Sequence, residues 1–180
     1  MTSYDRKVFL YISMSLDGFI AGENDDISFL DAMDKEGLDY GYYDFVANVD
    51  TYIVGRKSYD KVMSMIGHFP QAKEYDCYVI TRQDIPDTAD ITFYNEDIKA
   101  LIQRLRSEPG KHIYCDGGGE IVKLLMDNDL IDEYIVSIIP TIVGKGKRLF
   151  MGGTAARVLD FVGSETYETG LVQVRYRRRR

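Results

Sequence analysis

Three consecutive glycines follow a strand-like run: Ile113-Tyr114-Cys115, then Asp116-Gly117-Gly118-Gly119, then Glu120-Ile121-Val122 at the start of a helical pattern. Taking three side chains out of a strand-to-helix turn lets a ligand approach the main chain. It also leaves the first free N–H groups of the helix pointing outward, a geometry suited to phosphate. A tight turn needing positive φ accounts for one such glycine, and three in a row favour a ligand. The run is neither a P-loop, lacking the Gly-Lys-Ser/Thr ending, nor Gly-x-Gly-x-x-Gly, because position 122 is Val. A second strand end, Tyr52-Ile53-Val54-Gly55-Arg56-Lys57-Ser58-Tyr59, places two cations and a hydroxyl at a helix start. Cations there oppose the helix dipole, and an anion bound between them would offset this. A solvated cation pair is the competing account. A third, Val79-Ile80-Thr81-Arg82, ends in a hydroxyl and a guanidinium. Together the three turns can bring Arg56, Lys57 and Arg82 to one crevice, as a ligand with several phosphates requires.

These turns need a scaffold. Strands are expected at Val8–Ser13, Thr51–Val54, Cys77–Thr81, Ile91–Tyr94, His112–Cys115 and Tyr134–Ile142, with two more near Leu159–Val162 and Leu171–Arg177. Helices are expected within Phe29–Ala47, and over Lys57–Ile66, Asp97–Arg106 and Glu120–Met126. The Lys57–Ile66 helix would place Tyr59, Val62, Met63 and Ile66 on one face. Gly144-Lys145-Gly146-Lys147 has no helix directly after it and reads as a hairpin turn between extended segments. Alternating strands and helices predict a mostly parallel, doubly wound α/β sheet with an antiparallel C-terminal part. Ligands of such sheets bind at the carboxyl ends of the strands.

The 180 residues carry no repeat or linker, so one domain over 1–180 is expected. Two cysteines, Cys77 and Cys115, and two histidines form no disulfide framework and no metal-ligand spacing. No apolar stretch reaches the ~20 residues a membrane helix needs. Met1–Lys7 runs straight into a strand pattern, so the expected address is the cytoplasm. The net charge of −7 argues against general nucleic-acid binding. Arg175 and Arg177–Arg180 form a basic C-terminal run. Period-2 patterning there predicts a last strand with Val172, Val174 and Tyr176 inward and Gln173, Arg175 and Arg177 outward.

The ordered set of Gly-Arg-Lys-Ser, Thr-Arg and Asp-Gly-Gly-Gly turns resembles the dihydrofolate reductase-like superfamily. Ile12-Ser13-Met14-Ser15-Leu16-Asp17-Gly18-Phe19-Ile20-Ala21, Leu130-Ile131-Asp132-Glu133-Tyr134 and Pro140-Thr141-Ile142-Val143-Gly144-Lys145-Gly146 resemble one branch more closely. That branch is the RibD C-terminal reductase domain of riboflavin biosynthesis and its stand-alone bacterial relatives. The resemblance spans about residues 6–176. It implies a three-layer α/β/α sandwich, NADPH as cofactor and hydride transfer to a small heterocycle, either a ribosylamino-pyrimidine phosphate or a pterin. It assigns Gly55, Arg56, Lys57, Ser58, Thr81 and Arg82 to the adenosine side with its 2′-phosphate. Gly117, Gly118, Gly119, Glu120 and Ile121 fall to the pyrophosphate and nicotinamide side, and Ser13, Ile20, Ala21 and Gly22 to the nicotinamide wall. The chain lacks the Pro-Trp pair that precedes the catalytic carboxylate of dihydrofolate reductases, and Asp31 or Asp34 is the nearest counterpart. A homodimer and no metal are implied. The alternative is a non-catalytic module that binds NADPH or another nucleotide phosphate without consuming it. A nucleic-acid role through the arginine tail is a third possibility.

Overall fold

Residue 5 to residue 179 are described by a computed structural model. The chain opens on the strand that becomes the middle of its sheet. β1 (Val8–Ser15) pairs in parallel with β6 (His112–Gly117) on one side and β7 (Glu133–Ile139) on the other. Beyond β6 lie β3 (Val49–Gly55), β4 (Asp76–Ile80) and β5 (Ile91–Tyr94), all parallel. Beyond β7 lie β10 (Val172–Arg178) and β9 (Leu159–Thr166), both antiparallel to their neighbours. The sheet thus runs β5-β4-β3-β6-β1-β7-β10-β9. A separate small ribbon joins β2 (Phe19–Ala21) to β8 (Lys147–Arg148).

Helices cover both faces because the buried strands are apolar on both. α3 (Ile98–Ser107) buries Ile98, Leu101, Ile102 and Leu105, and Asp97 caps it by accepting from the Lys99 N–H at 3.0 Å. With α4 (Gly119–Asp127) it encloses a core of Val8, Leu10, Ile53, Ile113, Cys115, Val122 and Leu125. The opposite face, under α1 (Tyr42–Val46) and α2 (Arg56–Ile66), is aromatic, holding Phe9, Tyr11, Tyr52, Phe69 and Tyr114. The result is the three-layer, mixed α/β/α sandwich that the sequence predicts. Among the described residues, no helix is long and apolar enough to cross a membrane.

Five expectations need correction. The helix expected within Phe29–Ala47 is broken into a 3₁₀ turn (Ser28–Met33) and the five-residue α1. Gly37 and Gly41 both take positive φ between the two. The strand expected over Tyr134–Ile142 stops at Ile139, just before Pro140, which has no N–H to continue the ladder. Gly144–Gly146 is not a hairpin turn, since β8 pairs with β2, more than a hundred positions earlier. Ile66, expected on the packed face of α2, is 51% exposed at the helix end. On β10, Gln173 faces inward and is buried. Its Nε2 donates to Ser137 Oγ at 3.1 Å and Tyr11 Oη at 3.2 Å, so a polar network replaces the expected outward position.

The arginine run is anchored in the fold. Arg178 donates to Asp132 at 2.9 Å, Arg179 to Asp160 at 2.7 Å, and Arg175 lies 3.6 Å from Glu133. Buried Asp132 also pairs with Arg106 and accepts the Val8 N–H at 2.9 Å, tying β1, α3 and β10 at the amino end of β7. Arg180 lies outside the described residues.

Candidate functional site

β4, β3 and β6 are adjacent and parallel, so their carboxyl ends deliver three turns to one rim of the sheet. Ile80 ends β4 and Thr81-Arg82 follow; Gly55 ends β3 and Arg56 opens α2; Gly117 ends β6 and Gly119 opens α4. Ser58 Oγ accepts the Gly118 N–H at 3.1 Å, joining the second turn to the third. Lys57 Nζ donates to Glu120 Oε1 at 2.6 Å, and Arg82 Nη2 stands 3.5 Å from Glu120 Oε2, which draws in the first. Lys57, Ser58, Arg82, Gly118 and Glu120 therefore meet.

The remaining candidates fall around this centre. Arg56 turns the other way: it donates to Asp60 at 2.6 Å and lies over the Phe93 ring of β5 at 5.5 Å. Its Nη1 is buried with no partner among the described residues, an uncompensated donor at the site's edge. The Thr81 hydroxyl accepts the Gln83 N–H at 3.1 Å and shapes its own turn. Ile20 lies against Gly118, where an added Cβ would be 3.6 Å from its Cδ1. Ala21 and Gly22 are buried behind it, and Ser13 sits on β1 opposite Ser137. Ile121 packs on Gly55, where a Cβ would come within 2.7 Å of its Cγ1.

The glycine run serves packing as well as access. The Gly117–Gly118 peptide bond is cis, and Gly117 has φ +107°. At Gly119 a Cβ would stand 2.7 Å from the Arg148 carbonyl oxygen of β8. Part of the glycine signal therefore reports the approach of β8, which local sequence cannot show.

Three contributors escaped the sequence reading. Lys147, taken for part of a hairpin, pairs with Asp25, and its charge reaches Glu120. Lys61, one turn along α2 from Lys57, acts on Asp25 and Asp26. The alternation of Lys57 and Lys61 at i, i+4 carries this signal, once α2 is known to face the loop. Lys57, Arg82 and Lys147 thus surround Glu120 at the amino end of α4, in a protein of net charge −7, while Lys61 extends the positive charge toward Asp25 and Asp26. The third is Asp116, on the aromatic face. Tyr114 donates to its Oδ1 at 2.9 Å, and Tyr52 bonds it as well. Burial raises its carboxyl above the usual range, against the lowering effect of the two phenols. Tyr52 and Tyr114 lie edge to face at 5.0 Å, and Phe45 crosses Tyr114 at 5.1 Å. Tyr42 completes the surround, its phenol pushed up to about 12, chiefly by burial. Asp31 and Asp34, by contrast, stand exposed on the 3₁₀ turn and its C-cap.

Asp17 organises the neighbouring loops. It accepts the Ser15 hydroxyl at 2.6 Å and the Val143 and Gly144 N–H groups at 3.0 and 2.7 Å. The Ser15 bond first, then the two amides, hold its carboxyl at about 2. This clamp seats the 143–148 segment beside β2.

Two Bacillus subtilis (strain 168) proteins resemble the chain over nearly their whole length. YwjB is 40% identical over 96% of this chain and 98% of its own, and YyaP is 30% identical over 95% and 94%. Among solved structures, a Shewanella sp. PV-4 protein superimposes with a TM-score of 0.87 at 23% identity, covering 97% of this chain and 99% of its own. A Thermotoga maritima diaminohydroxyphosphoribosylaminopyrimidine deaminase/5-amino-6-(5-phosphoribosylamino)uracil reductase superimposes with a TM-score of 0.74 at 14% identity. That match covers 97% of this chain and 57% of the Thermotoga chain, and it speaks to the fold. The RibD C-terminal domain profile matches residues 6–173. With strand-end turns, sheet order and sequence in agreement, the chain belongs to the RibD C-terminal domain family.

Proposed function

We propose that the protein is an NADPH-dependent reductase of a small heterocyclic substrate. The observation that carries this reading is the convergence of three strand-end turns and three cations, Lys57, Arg82 and Lys147, on the amino end of α4. Family membership supports a reductase of the RibD type. The residues present fit the cofactor. Lys57 and Arg82 offer charge for the 2′-phosphate, Arg56 offers a buried donor without a partner, and the Gly117–Gly119 backbone offers close access for the pyrophosphate. Thr81, Ser58 and Gly55 shape the adenosine side. Ser13, Ile20, Ala21 and Gly22, with Ile121 at the helix start, line the nicotinamide side, whereas Glu120, bonded to Lys57 and facing Arg82, falls with the phosphate-binding cations instead.

When bound, the cofactor supplies a hydride. The chain supplies position, a dry wall and a proton. Asp116, at the carboxyl end of β6 beside the glycine turn, is the candidate source of that proton, its carboxyl raised by burial and bonded by Tyr114. Tyr52 and Tyr114 hold it in orientation, and the aromatic face offers stacking surfaces for a flat ring. Asp31 and Asp34 remain candidates to reach a substrate from the solvent side. The reading extends to a cytoplasmic homodimer. An apolar cavity of about 520 Å³ lies open between β7, β10 and the 150–157 segment, rimmed by Phe150 and Met151, and Val158, Phe161 and Val162 are exposed beside it. A second copy would cover this face.

The test is a titration with NADPH and NADH, followed by nicotinamide fluorescence, then turnover with candidate heterocycles. NADPH binding at least about tenfold tighter than NADH, a difference of about 1.4 kcal/mol, is expected. Saturation by neither dinucleotide at millimolar concentration overturns the reading. Tight NADPH binding with no oxidation by any heterocycle points to a binding module instead.

A further inference from the structure

The cations that ring α4 are not free in the protein as it stands. Glu120 takes Lys57 at 2.6 Å on one carboxylate oxygen and faces Arg82 at 3.5 Å on the other. Asp25 takes Lys147 and feels Lys57 and Lys61. Glu120 sits in the first turn of α4, where the helix dipole already favours an anion. A phosphate arriving at Lys57 and Arg82 therefore meets a carboxylate of its own sign, bonded to the same donors.

We infer that Glu120 is an internal counter-anion of the cofactor site, which the 2′-phosphate of NADPH must displace and which thereby tempers the preference for NADPH over NADH. This rests on the assignment of Lys57 and Arg82 to the 2′-phosphate. The 2′-phosphate brings about −1.5 to −2 charge at neutral pH and needs both cations. NADH lacks that group and leaves the Lys57–Glu120–Arg82 bridge closed. All three side chains are substantially exposed, at 76%, 48% and 93%, so the bridge is weak enough to exchange during binding. Its effect is a selectivity term, and the fold does not depend on it.

The experiment measures NADPH and NADH dissociation constants for the wild type, Glu120→Gln, Arg82→Ala and the double variant, at low and high salt. Thermal melting serves as a check on folding. Glu120→Gln is expected to tighten NADPH about three- to fivefold and leave NADH within error. The gain should shrink at high salt and be smaller on the Arg82→Ala background, where the competing bridge keeps only its Lys57 end. Unchanged or weaker NADPH binding by Glu120→Gln, with the wild type binding normally, overturns the inference and leaves the reductase reading intact. Equal loss for both dinucleotides also overturns it and makes Glu120 a direct ligand of a shared group such as a ribose hydroxyl. If no variant binds either dinucleotide, the cofactor assignment falls, and this inference falls with it.

Discussion

At the scale of single residues, two carboxylates sit in opposite environments. Asp116 is raised by burial, so the folded state favours its protonated form. Its contribution to stability is fully present below the ordinary carboxylate pKa and is lost as pH rises through its folded value. Asp116→Asn should therefore melt higher than the wild type near neutral pH, with the difference closing as pH falls toward about 4. The same change should lower kcat by about a hundredfold or more, if proton donation is its role. Melting curves across pH, set beside single-turnover rates, check both halves. Asp17 is the reverse case, held at about 2 by the Ser15 hydroxyl and the Val143 and Gly144 amides. Its contribution is present above about 4 and is lost as pH falls through about 2. Asp17→Asn should be less stable than the wild type near neutrality and show a flatter acid limb in the same melts. Neither role was legible locally. Asp116 reads in the sequence as the head of a glycine turn, and its tyrosine partner Tyr52 lies 64 positions away. Asp17 reads as half of an Asp-Gly turn, and its amide partners come from the far end of the chain.

Among elements, the fit of α4 against β8 sets the geometry of the glycine turn. Gly119→Ala would drive a methyl to 2.7 Å from a backbone oxygen of β8, which cannot rotate away as a side chain can. A cost of about 1–3 kcal/mol in urea unfolding is expected, with weaker dinucleotide binding because the turn itself shifts. Gly55→Ala, facing the Ile121 side chain, should cost less. The eight strands of the main sheet and the helices α2, α3 and α4 were legible because local periodicity decided them. Ile98, Leu101, Ile102 and Leu105 recur at helical spacing and are all buried. The 28–46 segment was not legible: its Asp- and Tyr-rich run mimics a helix, yet Tyr40 donates to the Met33 carbonyl at 2.7 Å and holds the chain in a bend. β8 was missed because two residues carry no period, and its partner β2 is remote.

For the whole molecule, the sheet is covered unevenly. The faces of β1, β3 and β6 lie beneath helices, while the β9–β10 margin leaves Phe161 64% exposed beside an apolar cavity. If the proposed homodimer uses this face, Phe161→Glu should shift it toward monomer in light scattering without lowering its melting temperature. An unchanged mass would rule this face out as the interface of the proposed dimer. The class of the fold and the candidate rim followed from the alternation of strands and helices, whereas the strand order did not. The orientation of the arginine tail did not, because Asp129, Asp132 and Asp160 had to be brought beneath it by the sheet.

The place of β1 also has a consequence for how the chain is made. Its neighbours in the sheet begin at His112 and Glu133, so this apolar strand leaves the ribosome with nothing to pair against. At 5–20 residues per second, the wait for β7 is on the order of ten seconds. Throughout that interval Val8-Phe9-Leu10-Tyr11-Ile12 is a bare, aggregation-prone edge. Yield in a heterologous host should therefore respond to growth temperature and to holdase chaperones more than to the stability of the finished protein.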